Sequence, residues 1–313
     1  MRVCLMIEGQ EGVTWDDWVA LARACEESGL EGLFRSDHYL GIMSDEPAAA
    51  HDAWATISAL SALTKRIRLG TMVSPVTFRH PAVVARMVVT ADHVSGGRVE
   101  LGLGAGWYEA EHETHGFPFP PLGERFDKLE HDADAILRAW TDDPKQQPKP
   151  VQRPHPPVIL GGSAKPRGAR LAARVAQEYN TTFATPEECR ERRGALDRAC
   201  EAVGRDPATL PLSLMTRCVI GSAAERLDER QQAWLVGGVD EVAEQLRALE
   251  AAGVTRVFLQ HLDHRDLDSV ALMGRELAPA VACPDEHPVT RQAPRPQRTA
   301  STHTVFPART VPP

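Results

Sequence analysis

The aspartate–histidine pairs Asp37-His38 and Asp92-His93 are suited by type to move a proton. An imidazole beside a carboxylate can hold and exchange a proton near neutral pH. Their positions separate them. Asp37-His38 directly follows the apolar run Gly32–Ser36, which reads as a strand, so the pair sits where a strand delivers its C-terminal end. Asp92-His93 falls at the end of a helical pattern that starts at Pro81 and stops at Ser95-Gly96-Gly97. There a cation near the negative end of the helix and a termination role suffice. Asp37 and His38 are therefore the candidate acid–base residues.

Three further segments have the composition of a binding pocket. Gly70-Thr71-Met72-Val73-Ser74-Pro75 crowds Thr, Ser and Pro directly after a β run, which suggests a bulge or an unusual turn. Gly102-Leu103-Gly104-Ala105-Gly106 fits G-x-G-x-G but not the dinucleotide fingerprint. Its glycines either let something flat approach the backbone or make room inside the protein. Gly161-Gly162-Ser163 precedes a helix start at Lys165-Pro166. Backbone N–H groups and a hydroxyl at such a place form an anion cradle, although no Gly-Lys-Ser/Thr follows to make a Walker loop. Glu111-His112-x-x-His115 invites a metal reading, but its spacing is not HExxH and no second ligand cluster accompanies it, so no metal is assigned. His261 after strand-like Arg256–Gln260 could reach the same end of the molecule, or serve structure alone. No GxSxG offers an acyl-transfer nucleophile.

These segments need a scaffold that brings several strand ends together. Strand-like runs at Val3–Ile7, Gly32–Ser36, Ile67–Val73, Arg98–Gly104, Pro157–Leu160, Tyr179–Ala184, Leu212–Ile220 and Arg256–Gln260 alternate with helical patterns. Among the helices, Trp15 to Cys25 stops at Ser28-Gly29, and Arg125–Thr141 follows a polar loop, Trp107–Glu124. Thr185 caps Pro186-Glu187-Glu188, and Asp240–Ala252 runs up to Gly253. Eight β-then-α units predict a (β/α)8 TIM barrel over residues 1–282, whose working groups gather at the C-terminal strand ends. A doubly wound open sheet would hold fewer regular repeats. Arg68 and Glu100 share the parity of Gly70 and of Gly102 and Gly104, so they are expected to pair inside the barrel floor.

Apolar residues make up 42% of the 313, enough for a full core, and the net charge of −8 argues against a general nucleic-acid binder. No apolar run is long enough for a membrane helix. The first residues read as a strand rather than a signal peptide, so a cytoplasmic enzyme is expected. Six scattered cysteines without a CxxC read as small buried apolar residues. From Cys283 onward the chain turns rich in Pro, Arg and Thr, and residues 283–313 are expected to be a disordered tail.

In combination these segments resemble a known family. Phe34-Arg35-Ser36-Asp37-His38, Leu69–Pro75 with Arg79-His80-Pro81-Ala82, Ser95–Trp107, Gly116–Pro121 with Glu124-Arg125-Phe126, Val158–Gly162 and Glu241–Leu246 are similar to the bacterial-luciferase-like monooxygenases, and in particular to their F420-dependent oxidoreductases. The resemblance covers residues 1–282. It implies a barrel whose mouth binds coenzyme F420 or, alternatively, FMN, with Asp37 and His38 beside the reactive ring. It also implies a non-prolyl cis peptide at Met72-Val73 backing that ring, the Gly104-Ala105-Gly106 lip beside it, and Gly161-Gly162-Ser163 at the cofactor phosphate. The expected activity is F420-dependent hydride transfer to or from a small organic substrate. FMNH2-dependent monooxygenation and storage of reduced flavin without turnover are the alternatives. A sugar-phosphate dehydrogenase of the superfamily carries an acid directly after the second strand-end glycine motif. Here Trp107 occupies that place, which argues against sugar-phosphate oxidation, and Tyr108 or Glu109 is left to contact the ring edge. The loops Gly41–His51, Trp107–Glu124 and Ser222–Gly237 are expected to wall the pocket. Related barrels often form dimers, so a homodimer is admitted too.

Overall fold

The strands β1 (Arg2–Ile7), β2 (Gly32–Arg35), β3 (Arg68–Thr71), β5 (Val99–Gly104), β6 (Val158–Gly161), β7 (Glu178–Thr182), β8 (Leu212–Ile220) and β10 (Val254–Gln260) pair in parallel in that order. β10 pairs with both β8 and β1, which closes the sheet, and the short β9 (Leu235–Gly237) adds to the end of β8. The result is the expected (β/α)8 barrel. The computed structural model describes residues 1–43, 48–221, 224 and 234–282. The expected tail 283–313, with Cys283, and parts of two expected pocket walls, 44–47 and 222–223 with 225–233, lie outside the described residues.

Local chemistry sets the helix ends much as the residue pattern predicts. α1 (Trp15–Ser28) opens on a capping box between Thr14 and Asp17 and ends on Gly29, whose φ of 97° suits glycine. α2 is Ala53–Leu63, and α3 (Pro81–Ser95) has Pro at its first position. α7 (Pro186–Ala202) repeats the capping box with Thr185 and Glu188. α8 is Val239–Ala251.

Three segments differ from expectation. The third strand stops at Thr71 rather than Val73, and the chain rejoins the sheet only as the two-residue β4 (Ser74–Pro75) against β5. Between them the Met72–Val73 peptide is cis. The sixth strand runs Glu178–Thr182 rather than Tyr179–Ala184, because Phe183 takes a φ of +47°, outside any strand conformation. The supposed loop 107–124 contains a helix, α4 (Glu109–His115), and α5 begins at Leu122 rather than Arg125. α4 carries no apolar stripe; its inward side is Glu111 and His112, both buried, so hydrophobic periodicity had nothing to register.

Alternation along each strand divides the interior in two. Val3, Leu5, Leu33, Leu69, Leu101 and Leu103 pack outward against the helices. Cys4, Met6, Phe34, Met72, Ile159, Met215 and Phe258 form a separate plug inside the barrel. Beneath that plug lies a layer of charge. Arg256, 1% exposed, bonds Glu100 at 2.7 Å and Glu178 at 3.2 Å, and Arg2 reaches Glu31 and Glu178. Arg68 pairs with Glu100, as the parity argument expects. Burial alone would push the Glu100 carboxyl up, but Arg256 and Arg68 outweigh it and hold it at about 2. The described cysteines Cys4, Cys25, Cys189, Cys200 and Cys218 are buried and free.

Candidate active site at the barrel mouth

Above the plug, the strand ends enclose a cavity of about 790 Å³. That lies within the roughly 300–1,000 Å³ usual for small-molecule sites. Its wall includes His38, Met72, Val73, Gly104, Ala105, Gly106, Gly161 and Gly162. Of the other residues predicted for the site, Asp37 and Ser163 are not in that wall.

His38 follows β2 on the inward parity of Gly32, Phe34 and Ser36. Its Nδ1 lies 2.8 Å from Glu111 Oε1, and the second oxygen of Glu111 accepts the Tyr39 backbone N–H at 3.1 Å. Glu111 is 1% exposed, so the pair works in a poorly hydrated place. Burial alone would lower the His38 pKa. The hydrogen bond and charge of Glu111 reverse this, with Glu8 and Asp37 adding to it, and the imidazole titrates above its ordinary value. With Nδ1 committed to Glu111, Nε2 is the nitrogen left to exchange a proton with a ligand. Trp107 and Tyr108 meet the imidazole edge-on at 5.7 and 6.1 Å.

Asp37 points the other way. Successive side chains of an extended segment face opposite sides, and Asp37 lies on the side away from the cavity that His38 lines. Asp37 is instead clamped by Arg79, Nη1 to Oδ2 at 2.7 Å and Nη2 to Oδ1 at 3.1 Å, and accepts the Ser74 hydroxyl at 2.6 Å. Arg79 also donates to Asp52 and to the Tyr39 hydroxyl. The Trp54 indole N–H donates to Ser74 in turn. Asp37 thus fastens the end of β2 to the β3–β4 break, and Glu111 takes the place beside His38 that adjacency had assigned to Asp37.

That break turns Val73 inward, and the glycines of β5 make room for it. A Cβ on Gly104 would lie 2.7 Å from Val73 Cγ2, and one on Gly102 only 2.0 Å from the Thr71 carbonyl oxygen. Gly161 on β6 is also in contact distance of Val73. Of the two readings open for these glycines, Gly102 and Gly104 answer to the second: they admit protein. Gly106, with φ +82°, turns the chain away beside Thr77 and Pro75.

Gly161 and Gly162 reach the cavity while Ser163 is exposed to solvent. Gly162 has φ +153°, and the Ala164 N–H donates to the Tyr179 hydroxyl at 2.8 Å. In α6 (Pro166–Val175) the Ala169 N–H bonds the Lys165 carbonyl, and the N–H groups of Arg167 and Gly168 have no intrahelical partner.

The remaining candidates serve structure. His112 is fully buried, with Nε2 at 2.6 Å from Thr77 Oγ1 and Nδ1 at 2.7 Å from the Tyr108 carbonyl oxygen; His115 Nδ1 bonds the Glu111 carbonyl. No group of three or more potential metal ligands occurs among the described residues. The Tyr108 hydroxyl donates to Gly41, and Trp107, 63% exposed, is the rim residue that enters the cavity wall. Asp92 accepts the Val151 and Gln152 backbone N–H groups, pinning the long connection before β6, which goes beyond terminating a helix. His261 is buried beside the Asp266 carbonyl. Sequence reasoning missed Glu111 as a partner of His38, and it missed Arg217, which also lines the cavity; Trp234 lines it from the expected wall Ser222–Gly237. Arg217 was legible only as an inward position on β8.

A family model described as luciferase-like monooxygenase matches residues 2–235. An F420-dependent glucose-6-phosphate dehydrogenase of Microbacterium testaceum is 34% identical over 197 residues, 58% of this chain and 57% of the relative. An FMNH2-dependent dimethylsulfone monooxygenase of Pseudomonas putida is 31% identical over 176 residues, 51% of this chain and 47% of the relative. The chain thus spans about half the length of the curated relatives it matches. In fold it is similar to the F420-dependent tetrahydromethanopterin reductase of Methanopyrus kandleri, with a TM-score of 0.76, 17% identity, and coverage of 90% of this chain and 99% of that one. No helix among the described residues is long and apolar enough to cross a membrane.

Proposed function

The chain belongs to the luciferase-like monooxygenase family, a family of oxidoreductases with F420-dependent and FMN-dependent members, and from that premise we propose that it is an F420-dependent oxidoreductase acting on a small organic substrate. The observation that carries the reading is His38 on the cavity wall, held by buried Glu111, in a wall that also includes Gly104, Ala105 and Gly106. A flat cofactor with a phosphate fits these residues. Met72, Val73 and Met215 give an apolar wall, and the backbone at Gly161-Gly162 with the open start of α6 suits an anion. When bound, the deazaflavin would supply or accept the hydride, since the cofactor carries that chemistry.

The protein's own part is to position and to manage one proton. Glu111 fixes the His38 ring through Nδ1 and keeps it protonated to higher pH than a free imidazole, and Nε2 delivers or takes the accompanying proton. Asp37 is a positioning residue: through Arg79 and Ser74 it holds the break that presents Val73. The similarity to the FMNH2-dependent monooxygenase supports a second reading, oxygen insertion with reduced FMN in the same cavity. Cytoplasmic residence and a homodimer belong to the same proposal. On any substrate that turns over with F420, His38→Ala is expected to lower kcat by roughly 10²–10⁴-fold, while its cofactor affinity stays near that of the wild type. An unchanged kcat removes the role given to His38.

A further inference from the structure

The barrel treats its inward-facing cations in two different ways. At the floor, Arg2, Arg68 and Arg256 are matched by Glu31, Glu100 and Glu178. At the mouth, Arg217 stands on β8 with the inward parity of Ser213 and Met215, and among the described residues it is the one Lys or Arg in the cavity wall. The Arg217 guanidinium forms no ion pair or hydrogen bond with any described residue. The two carboxylates that share the wall are engaged elsewhere. Glu111 holds His38 and the Tyr39 N–H, and Glu8 accepts from Gln10 at 3.0 Å and Gln260 at 2.5 Å. The guanidinium is covered on its face by Trp234, its carbon 3.9 Å from the ring centroid. Stacking of this kind uses the flat face and leaves the N–H groups, which lie in the plane, free at the edge.

A half-buried cation without a counter-charge is disfavoured unless something else supplies one. Burial indeed lowers the Arg217 pKa. The rest of this wall is neutral and largely apolar, with Met215, Thr182, Asn180, Phe183 and Leu262. Phe183 is held there with φ +47°, a conformation that an aromatic residue adopts only when its surroundings impose it. A planar fork of donors on an aromatic backing, with no free carboxylate among the described residues of the wall to neutralise it, is a receptor for a two-oxygen anion. We infer that Arg217, backed by Trp234, anchors an anionic oxygen group of the substrate, a carboxylate or a phosphate. This rests on the reading of the cavity as the substrate site and narrows it: the substrate carries a negative charge at a distance from the centre that reacts beside His38.

Trp234 gives the test its signal, because it stacks on the group that would bind. Sodium butyrate and inorganic phosphate are titrated into the full chain, with butyramide as the uncharged counterpart. The readout is the part of the tryptophan fluorescence that Trp234→Phe abolishes. At least one anion is expected to give a saturable change and butyramide none. Affinity should fall roughly tenfold or more in Arg217→Gln, and by less in Arg217→Lys, which keeps the charge but loses the fork. Circular dichroism melts check that both variants fold; if Arg217→Gln does not, Arg217→Lys and the butyrate–butyramide contrast in the unaltered chain still decide. Equal anion affinity in Arg217→Gln, no saturable anion binding, or equal binding of butyramide overturns the assignment. Absorbance titrations of Arg217→Gln with F420 and FMN identify the source of the anion. Cofactor affinity close to that of the unaltered chain is expected, and a roughly tenfold loss would assign Arg217 to the cofactor and overturn the substrate anchor. Anion binding that depends on Arg217 in a chain that binds neither cofactor keeps the anchor and removes the flavin reading. Cofactor binding without an anion response does the reverse.

Discussion

His38 draws its chemistry from a residue 73 positions away, Glu111, rather than from its neighbour Asp37. Burial and Glu111 push its pKa in opposite directions and Glu111 wins, so removing Glu111 leaves burial unopposed by its strongest partner. In Glu111→Gln the NMR titration midpoint of His38 should fall from above the ordinary imidazole value towards or below it. A midpoint that does not move breaks the pairing. Because the folded-state pKa is raised, the stability that protonated His38 contributes is fully present below its unfolded value. It is lost as pH rises through the folded one. Of this site, His38 itself was legible, since a histidine at a strand's end in a barrel lies at the mouth. Its partner was not: strand alternation excludes Asp37 from the cavity, while Glu111 arrives through a contact that no local spacing encodes.

The break between β3 and β4 and the glycines of β5 form one device, in which a bulging side chain is accommodated by missing ones. Both halves could be read as unusual, the first from its Thr, Ser and Pro and the second from G-x-G-x-G. That they answer one another was not visible, because their contact needs the pairing of two strands. Gly102→Ala would set a Cβ against the Thr71 carbonyl, a backbone atom that cannot swing aside. It should destabilise the fold by roughly 1–3 kcal/mol in urea denaturation. Gly104→Ala meets only the Val73 side chain, so it should cost less stability and more cofactor affinity. The reverse order would mean that Val73 does not shape the cavity. α4 teaches the same lesson at the level of a whole element: a helix whose buried face is Glu and His escapes any search for apolar periodicity.

Across the whole molecule, the barrel was legible because eight alternating units leave few arrangements, and Arg68–Glu100 because parity survives from strand to strand. What extends that pair into a network, Arg256 with Glu178 and Arg2 with Glu31, depends on closure of the barrel by β10 and β1. Glu100→Gln leaves Arg256 with less counter-charge in a dry interior, and a loss of about 3 kcal/mol is expected. Glu100 is held at about 2, below its unfolded value, so its contribution is present above roughly pH 4.3 and is lost as pH falls towards 2. Urea midpoints measured between neutral and acid pH should therefore converge for the variant and the unaltered chain, and parallel curves would contradict this. The floor sets the frame and the mouth holds the cavity, and the proposed oxidoreductase function turns on whether that cavity holds a deazaflavin. Its most direct test is an absorbance titration of the full chain with F420 and, separately, with FMN. Saturable binding of F420, tighter than that of FMN, is expected. Tighter binding of FMN would shift the reading to oxygen insertion, and saturable binding of neither would contradict it outright.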